Sequence, residues 1–145
     1  MNKIIIALLL AASAPLALAQ VHVQDAWIRA TVPAAGATGL FMQISSEQAV
    51  QLVAVRSSVA GVTEIHQMQM EGQMMRMHPV PSIDLPAGVT VDLAAGGYHV
   101  MLMDLKRQLK QGETVPVTLV VRKKGKKEEN IALDVTVKPL NYHPK

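Results

Sequence analysis

Histidine and methionine supply the chemistry this chain can do. Its 145 residues include nine Met and five His but no Cys. Apart from Met1 and Met42, every Met lies between residues 68 and 103. In an extended strand, residues two apart share a face. On that rule His66, Met68 and Met70 share a face, as do Met75 and Met77, and as do His99, Met101 and Met103. Thioethers are soft, neutral ligands that select Cu(I), and imidazole suits copper and zinc. Neutral donors leave the ion's charge uncompensated, which favours Cu(I) over Cu(II) and suits a site that must release its metal. Without Cys, a blue-copper centre is excluded, a structural zinc site is disfavoured, and thiol redox catalysis has no nucleophile. Thioethers also escape the disulfide formation that would threaten thiolates in an oxidising compartment. The bland alternative is a Met-filled core, which predicts a buried His99 and no copper.

The elements that must position these groups read as strands. The segments are 21–30, 37–45, 49–57, 62–69, 73–80, 88–93, 98–103, 113–121 and 130–139, rich in Val, Ile, Leu and Thr. Gly, Pro and Ser clusters punctuate them, which is the pattern of an all-β sandwich or barrel. Residues 105–113 could hold one helical turn, and Pro116 marks an edge or a bulge within its strand. In 98–103, Tyr98, Val100 and Leu102 form an apolar face, so His99, Met101 and Met103 should point away from the core. The segment 62–80 reads as a hairpin turning near Glu71-Gly72-Gln73, which brings His66 near-opposite Met77. The run 122–130 holds most of the excess positive charge and reads as a solvated hairpin tip. No aromatic residue interleaves it, which argues against nucleic acid as a partner.

The N-terminus carries Lys3, a short apolar run and Ala17-Leu18-Ala19, the pattern of a cleaved signal peptide over residues 1–19. The run is too short to cross a bilayer comfortably, so no stable membrane insertion is expected after cleavage. No Cys follows the cleavage site, which argues against a lipoprotein. The expected product is periplasmic, with one domain over residues 20–140 and a short tail over 141–145. Cleavage would leave Gln20-Val21-His22. A free amine with His22 in third position could chelate Cu(II) in a plane, unless Gln20 cyclises or an early strand ties His22 down.

From His66, ten residues lead to Met77, twenty-one more to His99, and one more to Met101. This H-x10-M-x21-H-x-M spacing resembles the signature of the periplasmic copper chaperones called PCu(A)C. "DAWIRAT", "EIHQM", "MRMHPV" and "GGYHVMLMDLK" resemble that family too, so the likeness covers essentially the whole mature chain. The resemblance implies a cupredoxin-like, Greek-key β-sandwich without a cupredoxin metal site. It implies Cu(I) held by His66, Met77, His99 and Met101. It also implies delivery to the binuclear copper site of cytochrome c oxidase, through its subunit II or an assembly factor, or to another periplasmic acceptor. Met68, Met75 and Met103 then become a shielding collar or alternate ligands. His78 stands where relatives often carry Arg, and should point away from Met77's face. The tail holds only His143, short of the His- and Met-rich extension with which some relatives bind Cu(II). No nucleophile–base pair or paired-carboxylate site is apparent, so a carrier is expected rather than an enzyme. Its rivals are a copper-storage or resistance protein and a purely structural sandwich module.

Overall fold

Turn chemistry divides the described residues into ten strands. They are β1 (Val21–Arg29), β2 (Ala37–Ser46), β3 (Val50–Arg56), β4 (Ala60–Glu71) and β5 (Met74–Val80), then β6 (Ile83–Leu85), β7 (Val91–Leu93), β8 (Tyr98–Leu105), β9 (Thr114–Arg122) and β10 (Glu128–Lys138). The structure is a computed structural model that describes residues 20–145; the leader expected over 1–19 lies outside the described residues. Hydrogen bonding links the strands in the order β5-β4-β8-β7-β2-β1-β10-β9-β3-β6, with β8 also paired to β2. The sheet folds over on itself as a sandwich around one apolar core. Leu40, Ile44, Val100 and Leu102 enter it from one half, and Leu52, Leu85, Val115 and Leu119 from the other; all eight are fully buried.

Period-two alternation explains most of this. In β10, Val135 and Val137 are buried while Asp134 and Thr136 are exposed. Three points depart from the sequence expectation or refine it. β6 is three residues long, too short for its alternation to register as a strand. Residues 105–113 form no helical turn. Leu109 is pulled into the core, its N–H donates to Thr31 Oγ1 at 2.9 Å, and its carbonyl accepts from Thr31 N at 2.9 Å. Those bonds take the groups a helical turn would have used internally. Pro116 pairs with Asp134 of β10 at a point where β3 has already ended, since the β3 ladder stops at Arg56 opposite Thr118. The missing N–H therefore costs no ladder bond on that side. The charged run does form the β9–β10 turn, with Gly125 at φ 72°.

The two-residue turn of the β4–β5 hairpin uses Gly72 at φ 62°, a conformation glycine adopts without Cβ strain. Its register sets Met68 opposite Met77 and Met70 opposite Met75, with His66 opposite Pro79. Met77 is thus one rung nearer the hairpin tip than the near-opposite placement with His66 that the sequence suggested. On its other side β4 pairs with β8, and here His66 is directly opposite His99.

Candidate metal centre

β4, β5 and β8 lie side by side, and their alternation puts His66, Met77 and His99 on one face. Ile65 and Val100 pair with each other and turn inward as core residues, which fixes His66 and His99 outward. Met77 sits on the edge strand and bridges the diagonal to both rings, a reach open to a long side chain. Its Sδ lies 3.0 Å from His66 Nδ1 and 3.1 Å from His99 Nε2. The rings themselves are 5.8 Å apart at an interplanar angle of 72°.

The outer nitrogens have their own partners. His66 Nε2 lies 2.7 Å from Glu64 Oε2, and His99 Nδ1 lies 3.4 Å from the Gly97 carbonyl. Carboxylate and carbonyl accept, so in a neutral ring the proton belongs on these nitrogens. The lone pairs of His66 Nδ1 and His99 Nε2 in that tautomer aim at the Met77 sulfur. This is the arrangement by which a carboxylate or carbonyl fixes the tautomer of a ligating imidazole. Met101 is on the same face one rung beyond His99, between Glu64 of β4 and Gly39 of β2, and is half-buried.

His99 is only 4% exposed, which the sequence reading of an outward strand face did not anticipate. Its cover lies outside the core. The Phe41 ring lies 6.3 Å from it and continues into Trp27 at 4.6 Å. Phe41 can lie flat because Gly39 has no side chain: a Cβ there would meet Phe41 Cζ at 2.4 Å. Burial holds the His99 pKa below the ordinary histidine value; the Gly97 carbonyl opposes that shift and the neighbouring His66 adds to it. That shift favours the neutral ring that a metal ligand requires. Met77, by contrast, is 47% exposed. The cluster has a covered floor and an open rim.

Of the remaining sequence candidates, Met68 and Met75 are on the same face toward the hairpin tip. Met103 is opposite Val62, two rungs from His99 and on the side away from Met77. His78 faces the other way, as expected, with Nε2 at 2.6 Å from Glu71 Oε1; this is an electrostatic contact rather than a well-directed hydrogen bond. His22 pairs with Ser45 at the far end of β2, and its Nε2 lies 3.6 Å from Glu47 Oε1. A planar Cu(II) chelate through the Val21 and His22 amides would compete with that strand pairing. His143 is exposed and lines a groove with Asp25, Trp27, Phe41 and Asp92 on the other side of the Phe41 wall. Glu64, Phe41 and Gly39 escaped sequence reasoning. Glu64 had a signal, the same-face spacing Glu64-x-His66; the aromatic cover had none. No group of three or more His, Cys, Asp or Glu among the described residues is arranged to hold a metal. The donors that do converge include a thioether.

The fold, with this open His/Met cluster on its outer face, is that of the solved PCuAC sandwich domains. Residues 21–136 match the family model described as "Putative lipoprotein LpqE-like", and the chain belongs to that family; its fold is that of solved PCuAC domains. "Putative lipoprotein Lxx21020" of Leifsonia xyli subsp. xyli (strain CTCB07) is 33% identical over 102 residues, which is 68% of this chain and 60% of that protein. The chain thus spans about three fifths of that relative's length. The apo PCuAC domain from PmoF1 superposes with TM-score 0.66 at 25% identity, covering 82% of this chain and 93% of that one. The Cu(I) form of DR1885 from Deinococcus radiodurans superposes with TM-score 0.53 at 32% identity, covering 88% and 81%.

Proposed function

We propose that the protein is an extracytoplasmic copper carrier, exported by removal of residues 1–19. It binds a single Cu(I) through His66, Met77, His99 and Met101 and hands it to an acceptor protein. The observation that supports this reading most is the convergence of two imidazole lone pairs on one thioether sulfur. In the tautomer that Glu64 and the Gly97 carbonyl favour, three electron-pair donors face one another, an arrangement a shared cation stabilises. For a d10 ion with bonds of roughly 2.0 Å to nitrogen and 2.3 Å to sulfur, tetrahedral ligands lie about 3.5 Å apart. The observed 3.0 and 3.1 Å need to open by only about half an ångström at those bond lengths. Met101 supplies the fourth donor from the adjacent rung. The Cu(I)-bound relative at 32% identity supports the choice of ion. The protein is a carrier and not an enzyme: its site holds and releases an ion.

The buried His99 is what a purely structural module would also show. Here, however, the ring is covered on the outer face of the sheet, with its free nitrogen directed at an exposed sulfur. A Cu(I) titration followed by X-ray absorption at the copper edge tests the site. The expected result is one equivalent with a mixed nitrogen and sulfur shell; a shell without sulfur overturns the assignment. His99→Ala and Met101→Leu are expected to abolish tight binding while the apo fold persists. The acceptor is proposed to be the copper centre of cytochrome c oxidase subunit II, or an assembly factor that serves it. Transfer to an apo subunit II fragment tests this step, and retention of copper on the carrier points instead to storage or resistance. A secondary Cu(II) site at His22 is proposed only for a chain with a free Gln20 amine, which mass spectrometry of the exported protein decides.

A further inference from the structure

The hairpin beyond the site presents methionine where surface chemistry gives no reason for it. Eight large hydrophobic side chains are exposed among the described residues, and four of them are Met70, Met74, Met75 and Met77 of this one hairpin. Such a concentration is not the scatter of single apolar residues found on ordinary surfaces. The hairpin is also two-faced. On one face Gln69 donates to Gln67 at 3.0 Å, and Glu71 contacts Arg76 at 3.2 Å and His78 at 2.6 Å. On the other, the Met70–Met75 rung follows the Met68–Met77 rung, which adjoins the paired His66 and His99. Met74 pairs with Glu71 and lies on the polar face; Glu71, the charged group nearest the tip, is turned to that face, so no hard donor competes among Met68, Met70, Met75 and Met77.

The spacing suits movement of a soft ion. Directly opposed side chains start about 5 Å apart at Cβ, and successive rungs are about 7 Å apart. Met has three rotatable side-chain bonds, so sulfurs of neighbouring rungs can reach one ion together. Met70 is 62% exposed and Met75 49%, so the outermost rung is accessible to a donor or acceptor.

We infer that Met68, Met70 and Met75 form a second, weaker Cu(I) station at the hairpin tip, through which the ion enters and leaves the His66/Met77/His99 site. The inference rests on the copper reading above. The ion keeps its bond to Met77 while one bond to imidazole breaks and one to Met68 or Met75 forms; the next exchange brings in Met70. Each exchange makes one copper–ligand bond and breaks one. The thioethers are neutral, so they release no proton, and copper remains Cu(I) throughout.

The test uses the exported chain labelled with 13C at the methionine methyls and titrated with Cu(I) under reductant, with Ag(I) as a redox-inert probe. The first equivalent is expected to shift Met77 and Met101, and further equivalents to shift Met70 and Met75. In the Met70→Leu/Met75→Leu double variant, the affinity for the first equivalent is expected to stay within about twofold of the parent. Its transfer of Cu(I) to bathocuproine should slow by about tenfold, which corresponds to about 1.4 kcal/mol in the barrier. Unshifted Met70 and Met75 methyls, or an unchanged transfer rate, overturn the station while leaving the primary site intact. Failure of Met77 and Met101 to shift with the first equivalent overturns the copper site itself, and the station with it.

Discussion

His66 and His99 are direct partners across β4 and β8, yet they offer different nitrogens, Nδ1 from one and Nε2 from the other, to the same Met77 sulfur. Two strands running in opposite directions present their side chains with opposite lean. The contacts of the outer nitrogens with Glu64 and the Gly97 carbonyl favour this pair.

Glu64 should therefore matter although it is not a proposed ligand. Its carboxylate orients His66 at 2.7 Å and brings negative charge beside an otherwise neutral donor set. Glu64→Ala is expected to weaken Cu(I) binding by roughly 10–100-fold, the usual cost of losing an outer partner of a ligating histidine. Competition against a chromophoric Cu(I) chelator measures it. Unchanged affinity would show that Glu64 is only a surface ion-pair residue.

Gly39→Ala probes the aromatic cover. The new Cβ would meet Phe41 Cζ at 2.4 Å and push the ring off His99. A destabilisation of about 1–3 kcal/mol, typical of overpacking, should accompany a rise of the His99 pKa as water reaches it. Denaturant unfolding and histidine NMR titration read the two effects separately. A stable variant with an unmoved His99 resonance would contradict the proposed shielding.

The lowered His99 pKa makes stability depend on pH. Below the unfolded-state value near 6.5, the unfolded chain takes up a proton that the folded chain resists. This group's contribution is complete above about pH 6.5 and is lost as pH falls from there through the folded pKa. Apo-protein melting temperature should drop over that window, and His99→Gln should flatten the drop. Cu(I) affinity should also fall with acidity, because protons compete for the ligand nitrogens.

Leu109 tests the fold away from the site. It is fully buried in a loop, and Leu109→Ala should cost about 2–5 kcal/mol. Chemical denaturation checks the loss. Copper affinity measured well below the transition should be unchanged, since Leu109 packs in the core and bonds to Thr31 rather than lying on the sheet's outer face.

Much of this was legible in the sequence, for definite reasons. Alternation in β8 and β10 identifies strands because side chains leave a strand on alternate faces. The absence of Cys and the clustering of Met limit the metal chemistry, because donor softness belongs to the residue and not to the fold. The spacing of His66, Met77, His99 and Met101 carries the family resemblance. Tertiary structure decided the rest. The hairpin register put Met68 rather than His66 opposite Met77, because the two-residue turn at Gly72 and Gln73 sets pairing by one rung, a choice that a Gly-containing turn leaves open in sequence. The adjacency of β4 and β8, whose turned-in partners Ile65 and Val100 lie 35 residues apart in sequence, became visible only in the ladder that pairs them. Phe41 and Gly39 approach His99 from β2, some sixty residues earlier in the chain. No local pattern encodes that contact, since burial on the outer face arises from three strands meeting in space. Sequence determined which donors exist and what ion they suit; only the folded sheet decided which lone pairs converge, and on which sulfur.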